Sequence, residues 1–182
     1  MVLEIILIVV LAVLVLWLII TYNNLVRLNE AVNNAWAQID VQLKRRADLI
    51  PNLVETVKGY MKHEKTTLTE ITKLRSKILE GTPQQRLEAN DMLTQALKSI
   101  FAVAENYPQL RASENFMQLQ QQLTDTENKI SVAREDFNNA TLTYNREVKV
   151  FPTNIAASLF GFKERIYFQA TEQEKQPPKV SF

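Results

Sequence analysis

The chain has 182 residues, with 21 Lys and Arg set against 20 Asp and Glu. That balance offers no basic stripe for nucleic acid and no acidic tail, and the absence of cysteine excludes disulfides, thiolate metal sites and cysteine nucleophiles. None of its three glycines falls in a GxGxxG or P-loop pattern, which excludes a phosphate-cradling loop.

Met1–Ile20 carries a single charge, Glu4, and Ile5–Ile20 carries none. With Met1–Leu3 and the interfacial pair Thr21-Tyr22, the stretch reaches the ~20 residues that a membrane span needs at ~1.5 Å rise each. Ile5, Leu11, Leu16, Trp17 and Ile20 are the expected anchor residues, Trp17 and Tyr22 suiting an interfacial belt. A secretory signal peptide would start basic and end at a small-residue cleavage site. This stretch starts with Glu4 and ends in Thr21-Tyr22-Asn23-Asn24, so an uncleaved single-pass anchor over 1–21 is expected. Cations occur only after the apolar stretch, at Arg27 and then Lys44-Arg45-Arg46, which leans toward a cytoplasmic C-terminal domain.

No Gly or Pro precedes Pro51, so the anchor should continue as helix into water. Apolar residues recur at helical spacing in four stretches. The first shows Leu25, Leu28, Val32, Ala35/Trp36, Ile39 and Leu43 and ends before Pro51, which is either a tight turn or a kink. The second, over 51–80, shows Val54, Val57, Met61, Leu68, Ile71, Leu74 and Ile78. Gly81-Thr82-Pro83 then reads as a stop and a restart, with Thr82 as N-cap, Pro83 at the first helical position and Gln85 completing a capping box. The third helix carries Leu87, Leu93, Leu97, Ile100, Phe101 and Ala104, up to Pro108. The fourth begins after Ser113 and has a heptad-type seam of Phe116, Leu119, Leu123, Thr126, Ile130, Ala133, Phe137, Ala140 and Tyr144. A short helix between Pro152 and Gly161 follows. The predicted fold is all-α: an N-terminal transmembrane helix continuous with a long antiparallel four-helix bundle, plus a short C-terminal helix. Residues 1–21 form the anchor, 22–168 the bundle domain, and 169–182, with Pro177-Pro178, a disordered polar tail.

Candidate sites are few. His63-Glu64 lacks the second His four residues on that a zinc-protease helix needs, and position 60 is Tyr where a di-iron bundle would need Glu. No catalytic, cofactor or metal residue is expected. Trp36 and Tyr60 read as core aromatics. The amides Asn24, Asn34 and Gln38, together with Lys44, Arg45 and Arg46, are candidate contacts for an oligomer or partner. For the three cations the competing reading is a solvated face near a helix end, where positive charge suits the dipole. The segment 151–168 gathers Phe151, Phe160, Phe162, Tyr167 and Phe168. It has three readings: a plug on the bundle end, an amphipathic anchor in the headgroup region, or a subunit contact.

Three stretches carry more than generic helix. They are Tyr22-Asn23-Asn24-Leu25-Val26; Ala35–Tyr60 with its run Asp48-Leu49-Ile50-Pro51-Asn52-Leu53-Val54, ending at His63-Glu64; and Tyr144-Asn145 followed by Phe151-Pro152-Thr153-Asn154, Ala157 and Phe160-Gly161-Phe162. Together, over roughly residues 20–168, they resemble the LemA family of prokaryotic membrane proteins. Position 47 departs from the pattern, Ala standing where a bulkier polar residue is expected. The resemblance implies one amino-terminal membrane helix, a four-helix bundle, residence in an inner or plasma membrane, and no catalytic residue. The expected function is a non-enzymatic, membrane-anchored helical scaffold that forms homo-oligomers and organises or shapes membrane. The alternative is an adaptor presenting its bundle to another membrane protein such as a protease. Expected partners are therefore the bilayer, further copies of the chain, or that second membrane protein, without nucleic acid and without cofactor.

Overall fold

The computed structural model describes residues 1–60 and 65–168, which contain helices and no strand. The helices are α1 (Val2–Lys58), α2 (Lys65–Glu80), α3 (Pro83–Ala104), α4 (Pro108–Arg111), α5 (Glu114–Lys149) and α6 (Thr153–Leu159). Their described residues divide into two compact units, one formed by residues 1–36 with 134–168 and the other lying within Ala37–Ala133. Both α1 and α5 contribute to each. Met61, His63, Glu64 and the tail 169–182 lie outside the described residues.

The second unit is the four-helix bundle. Buried residues follow the predicted seams: Ile39 and Leu43 on α1; Leu68, Ile71, Leu74 and Ile78 on α2; Leu87, Leu93, Leu97 and Ile100 on α3; Phe116, Leu119, Leu123 and Ile130 on α5. Cross-helix contacts give its directions. Residue 40 meets 86 and 46 meets 90, so α1 and α3 run the same way. Phe101 meets Phe116, their ring centres 6.0 Å apart, and Thr94 meets Glu127, so α5 runs back against α3. The link from α2 to α3 is built as expected. The Gln85 amide N–H donates to Thr82 Oγ1 (3.5 Å), the Thr82 N–H donates to Gln85 Oε1 (3.0 Å), and Pro83 opens the helix. Gly81 is required there, because a Cβ would lie 2.6 Å from the Lys77 carbonyl oxygen.

The boundary between the first two helices differs from expectation. Pro51 lies inside α1, and the helix runs on to Lys58 before Gly59 and Tyr60 turn away. Two features explain why a proline is carried through. The apolar seam does not stop at it: Leu43, Ala47, Ile50, Leu53, Val54 and Val57 are all buried, so ending the helix at 50 would expose its last two turns of core. The proline's main local defect is also repaired. Pro51 has no N–H for the carbonyl of Ala47, four residues earlier, and that oxygen instead accepts from Arg75 Nε on α2 at 3.0 Å. Ala47, the position that departs from the family pattern, is fully buried. A longer side chain there would crowd the helix contact.

This assignment is testable. Arg75→Met should cost about 1–3 kcal/mol, because it leaves a buried carbonyl unpaired. In a Pro51→Ala background residue 51 regains its N–H, and the same Arg75→Met change should cost far less. Urea unfolding of the four variants measures the coupling; purely additive effects would contradict the repair.

Tyr60 is a correction to the sequence reading. It is 41% exposed rather than part of the core, because it follows the end of α1 and faces outward with Gly59.

In the first unit, α1 begins with the apolar stretch. Ile5 is 61% exposed, Leu11 60%, Leu16 59% and Ile20 66%. No residue of this stretch is buried by the protein itself, Trp17 and Leu18 alone being half-buried, which sets it apart from the core helix of a soluble fold, and it is long and apolar enough to cross a membrane. Farther along, Leu25 and Val32 turn inward, as do Phe137, Thr141, Tyr144 and Asn145 of α5. After α5 the peptide between Phe151 and Pro152 is cis, and α6 follows. Helix α6 ends in a Schellman motif: Phe162 N–H donates to Ala157 O (2.9 Å), Gly161 N–H donates to Ser158 O (3.3 Å), and Gly161 takes a φ of 76°. That positive φ favours glycine, and it reverses the chain into an extended segment, 162–168.

Candidate functional site

The extended segment forms a strap along α1 and α5 within the first unit. An irregular segment must find partners for its backbone groups, and here two asparagines supply them in pairs. Asn145 accepts from the Arg165 N–H (2.8 Å) and donates to the Arg165 carbonyl (2.8 Å). Asn138 accepts from the Phe168 N–H (2.9 Å) and donates to the Phe168 carbonyl (3.1 Å). Each amide thus mimics a neighbouring strand. The register follows from geometry: two helical turns, seven residues, rise ~10.5 Å, and three residues of extended chain span ~9–10 Å.

The same register appears on α1. Tyr22 packs against Phe162 (5.8 Å) and Phe160 (4.9 Å). Asn29 Oδ1 accepts from Arg165 Nη2 (2.9 Å) and Nε (3.2 Å), with Asn33 Oδ1 accepting at 3.2 Å. Trp36 packs against Phe168 (5.5 Å) and Phe137 (6.1 Å), and Phe137 against Phe168 (4.5 Å). Positions 22, 29 and 36 therefore face 162, 165 and 168. Tyr144, buried, donates its hydroxyl to the Lys163 carbonyl at 3.0 Å. Burial pushes its phenol above the ordinary range, partly opposed by the nearby Arg165 guanidinium. Lys149 holds Glu164 at 2.7 Å, a bond that raises the ammonium's pKa.

The aromatic residues of 151–168 thus separate. Phe160, Phe162 and Phe168 pack against α1 or α5. Phe151 is 75% exposed and Tyr167 40%.

The cations of 44–46 separate as well. Lys44 and Arg45 are exposed, whereas Arg46 is 2% exposed and faces the bundle core. It pairs with Glu127 on α5 and donates to Asn90 Oδ1 (2.6 Å) and Thr94 Oγ1 (2.9 Å) on α3. Thr94 Oγ1 in turn donates to Glu127 Oε1 (3.1 Å). A second pair, Arg86–Asp40, joins α3 to α1, and Arg86 Nε also caps the Ile78 carbonyl near the end of α2 (2.6 Å). Of the amides, Asn24 accepts from Arg27 (2.8 Å), while Asn34 and Gln38 are exposed. The strap amides Asn29 and Asn138 and the acceptors of Arg46 were not singled out from sequence, and Asn145 stood out only as part of the family pattern. The signal for Arg46 was present, since it lies three residues after Leu43 and four before Ile50, on the buried face.

Two further features bear on chemistry. A cleft of about 750 Å³ in the second unit is lined by Val54, Lys58, Lys65, Leu68, Thr69, Thr72 and Lys73. Its walls carry ammonium and hydroxyl groups around an apolar floor. Among the described residues, no cluster of three or more His, Asp or Glu side chains comes together. His63 and Glu64 lie outside those residues.

An all-α protein whose longest helix begins as a membrane-compatible span, with the returning chain strapped against that same helix, defines the class. The chain belongs to the LemA family, whose model matches residues 35–182. It is similar to the magnetosome proteins MamQ 1 and MamQ 2 of Paramagnetospirillum magneticum. Each is 26% identical over 179 residues, covering 84% of this chain and 66% of the relative. It is also similar to protein LemA of Metamycoplasma hominis, 28% identical over 158 residues, covering 84% of this chain and 71% of that one. The chain thus spans just under two thirds of the length of the MamQ proteins it matches.

Proposed function

We propose that this chain is a non-enzymatic, membrane-anchored scaffold that associates with copies of itself through the outer face of α1. The observation that carries the proposal is the part of that face within the second unit. Ala37, Gln38, Val41, Lys44, Arg45 and Asp48 recur at helical spacing, and all are exposed. Val41, at the centre, is 57% exposed. Small, amide and β-branched residues allow close helix approach. Arg45 and Asp48 give the stripe charges of both signs, so two copies can complement each other. Anchor and bundle share one helix, which fits subunits standing side by side in a bilayer, and cyclic assembly is the common outcome for such subunits. The similarity to magnetosome proteins supports a role at a membrane.

The chain's lack of cysteine makes the test direct. Val41→Cys in native membranes should give oxidative dimers, whereas Val132→Cys, equally exposed on α5 (59%), should give few. Equal crosslinking at both positions, or at neither, would contradict the α1 interface. The adaptor reading, in which the bundle is presented to a different membrane protein, is favoured by the cleft between α1 and α2. It predicts Val41→Cys crosslinks to a second polypeptide or none.

A further inference from the structure

We infer that α6 and the residues flanking it form a second membrane contact, lying in the headgroup–acyl boundary beside the transmembrane helix. The inference rests on the membrane-anchor reading above and adds a surface to it. On α6, Ile155 and Leu159, four residues apart, are 57% and 68% exposed, and Phe151, just before the helix, is 75% exposed, while Ala156 and Ala157 face inward and are buried. The helix therefore shows its large apolar side chains to the surroundings and spends its small ones on the protein. A globular surface has little reason for that inversion.

Three observations identify the bilayer as the occupant. The first is continuity: Phe160 packs edge-on against Tyr22 at 4.9 Å, two residues beyond the last apolar residue of the span. Helix α6 therefore sits where α1 leaves the membrane. The second is charge. Residues 150–162 contain no Asp, Glu, Lys, Arg or His; Lys163 flanks them on one side and Lys149, which also pairs with Glu164, on the other. A segment entering the acyl boundary must shed charge, whereas its flanks gain from cations near anionic headgroups. The third is construction. The Schellman turn at Gly161 and the Asn145 clamp on Arg165 hold the return of the chain, so α6 is fixed at the level of Tyr22. The residues that meet lipid are Ile155 and Leu159 of α6 and Phe151 just before it. Phe162 and one side of Phe160, which stays 45% exposed, pack against Tyr22.

The absence of cysteine allows single nitroxide labels on the full-length chain, reconstituted in vesicles of phosphatidylethanolamine and phosphatidylglycerol. Labels would replace Phe151, Ile155 or Leu159, with Leu11→Cys as the control within the span and Leu142→Cys, exposed on α5, as the control in water. Collisions with oxygen should exceed those with a water-soluble nickel complex at 151, 155 and 159, as at 11, and the order should reverse at 142. In the variant Ile155→Asp/Leu159→Asp, the label at 151 should become several-fold more accessible to nickel with helix content unchanged; a label that stays lipid-shielded would overturn the inference. Nickel access at the three positions with Leu11→Cys still buried in lipid would overturn this inference alone. Nickel access at Leu11→Cys too would overturn the anchor reading with it. Shielding from both reagents, with dipolar broadening between labels, would mean that a second copy covers these residues, again overturning the inference.

Discussion

Glu127→Ala should be among the most destabilising single substitutions in the bundle, costing about 3 kcal/mol, the lower end of the range for breaking a buried ion pair from one side. The reason is where the charges stand. Arg46 is 2% exposed and has given up its hydration for Glu127, Asn90 and Thr94. Removing the carboxylate withdraws from the buried guanidinium the negative charge that α5 supplies, in a site where water can replace it only in part. Glu127 is 32% exposed on its side chain, so water reaches the vacated position and keeps the cost at the low end. For a domain of this size the loss corresponds to a fall in Tm of roughly 6–12 °C, readable by circular dichroism in detergent. The double change Arg46→Met/Glu127→Leu should recover most of it, because replacing both partners of a buried pair with apolar side chains is often neutral or better. A double variant as unstable as Glu127→Ala would show that the charge is not the cause.

Asn145→Ala should free the strap without unfolding the helices. The side chain is 2% exposed and supplies both hydrogen bonds to the Arg165 backbone. Its loss leaves a donor and an acceptor with nothing but water, and each net bond is worth about 0.5–1.5 kcal/mol. The two bonds together weaken the strap by ~1–3 kcal/mol, which raises the open population by roughly 5- to 150-fold, and proteolysis follows that population when reclosing is fast. Lys163 and Arg165 place trypsin sites within the strap, so cleavage there should accelerate by about that factor, and further with Asn138→Ala. Unchanged cleavage in the double variant would contradict the clamp. The strap should also loosen in base. The Tyr144 phenol is raised above its ordinary 10.0 by burial, so the unfolded form ionises first. Its contribution is whole below that value and is lost as pH climbs through the folded-state pKa. Tyr144→Phe should flatten this dependence above pH ~10.

The helical seams were legible in the sequence because a heptad-type repeat leaves few other places for the apolar residues to go. The α5 seam from Phe116 to Tyr144 is buried throughout except at Ala140, which is half-buried. The capping box at Thr82 was legible for a similar reason, since its residues are local and their chemistry is reciprocal. What escaped was non-local. A proline reads as a break because its neighbours in sequence cannot repair it, and the group that does, Arg75, comes from the next helix. Three consecutive cations read as a surface cluster, yet the helix turns Arg46 alone to the inside, where Glu127 waits on α5. Asn138 looks like an ordinary polar helix residue, and Asn145 stood out only through the Tyr144-Asn145 pattern, with no task attached. Their task depends on a backbone segment twenty to thirty residues later, brought alongside by the turn at Gly161. The heptad spacing of the two asparagines was the available clue, and it gains meaning only beside the three-residue spacing of the strap.

The central claim, a membrane-anchored protein that builds assemblies of itself, is tested most directly by the mass of the full-length particle. Purified in mild detergent, it would be measured by light scattering and imaged by negative stain on the same sample. The scaffold account predicts a uniform, symmetric particle of several copies that Val41→Arg reduces to smaller species. A monodisperse monomer, unchanged by that substitution, would contradict it.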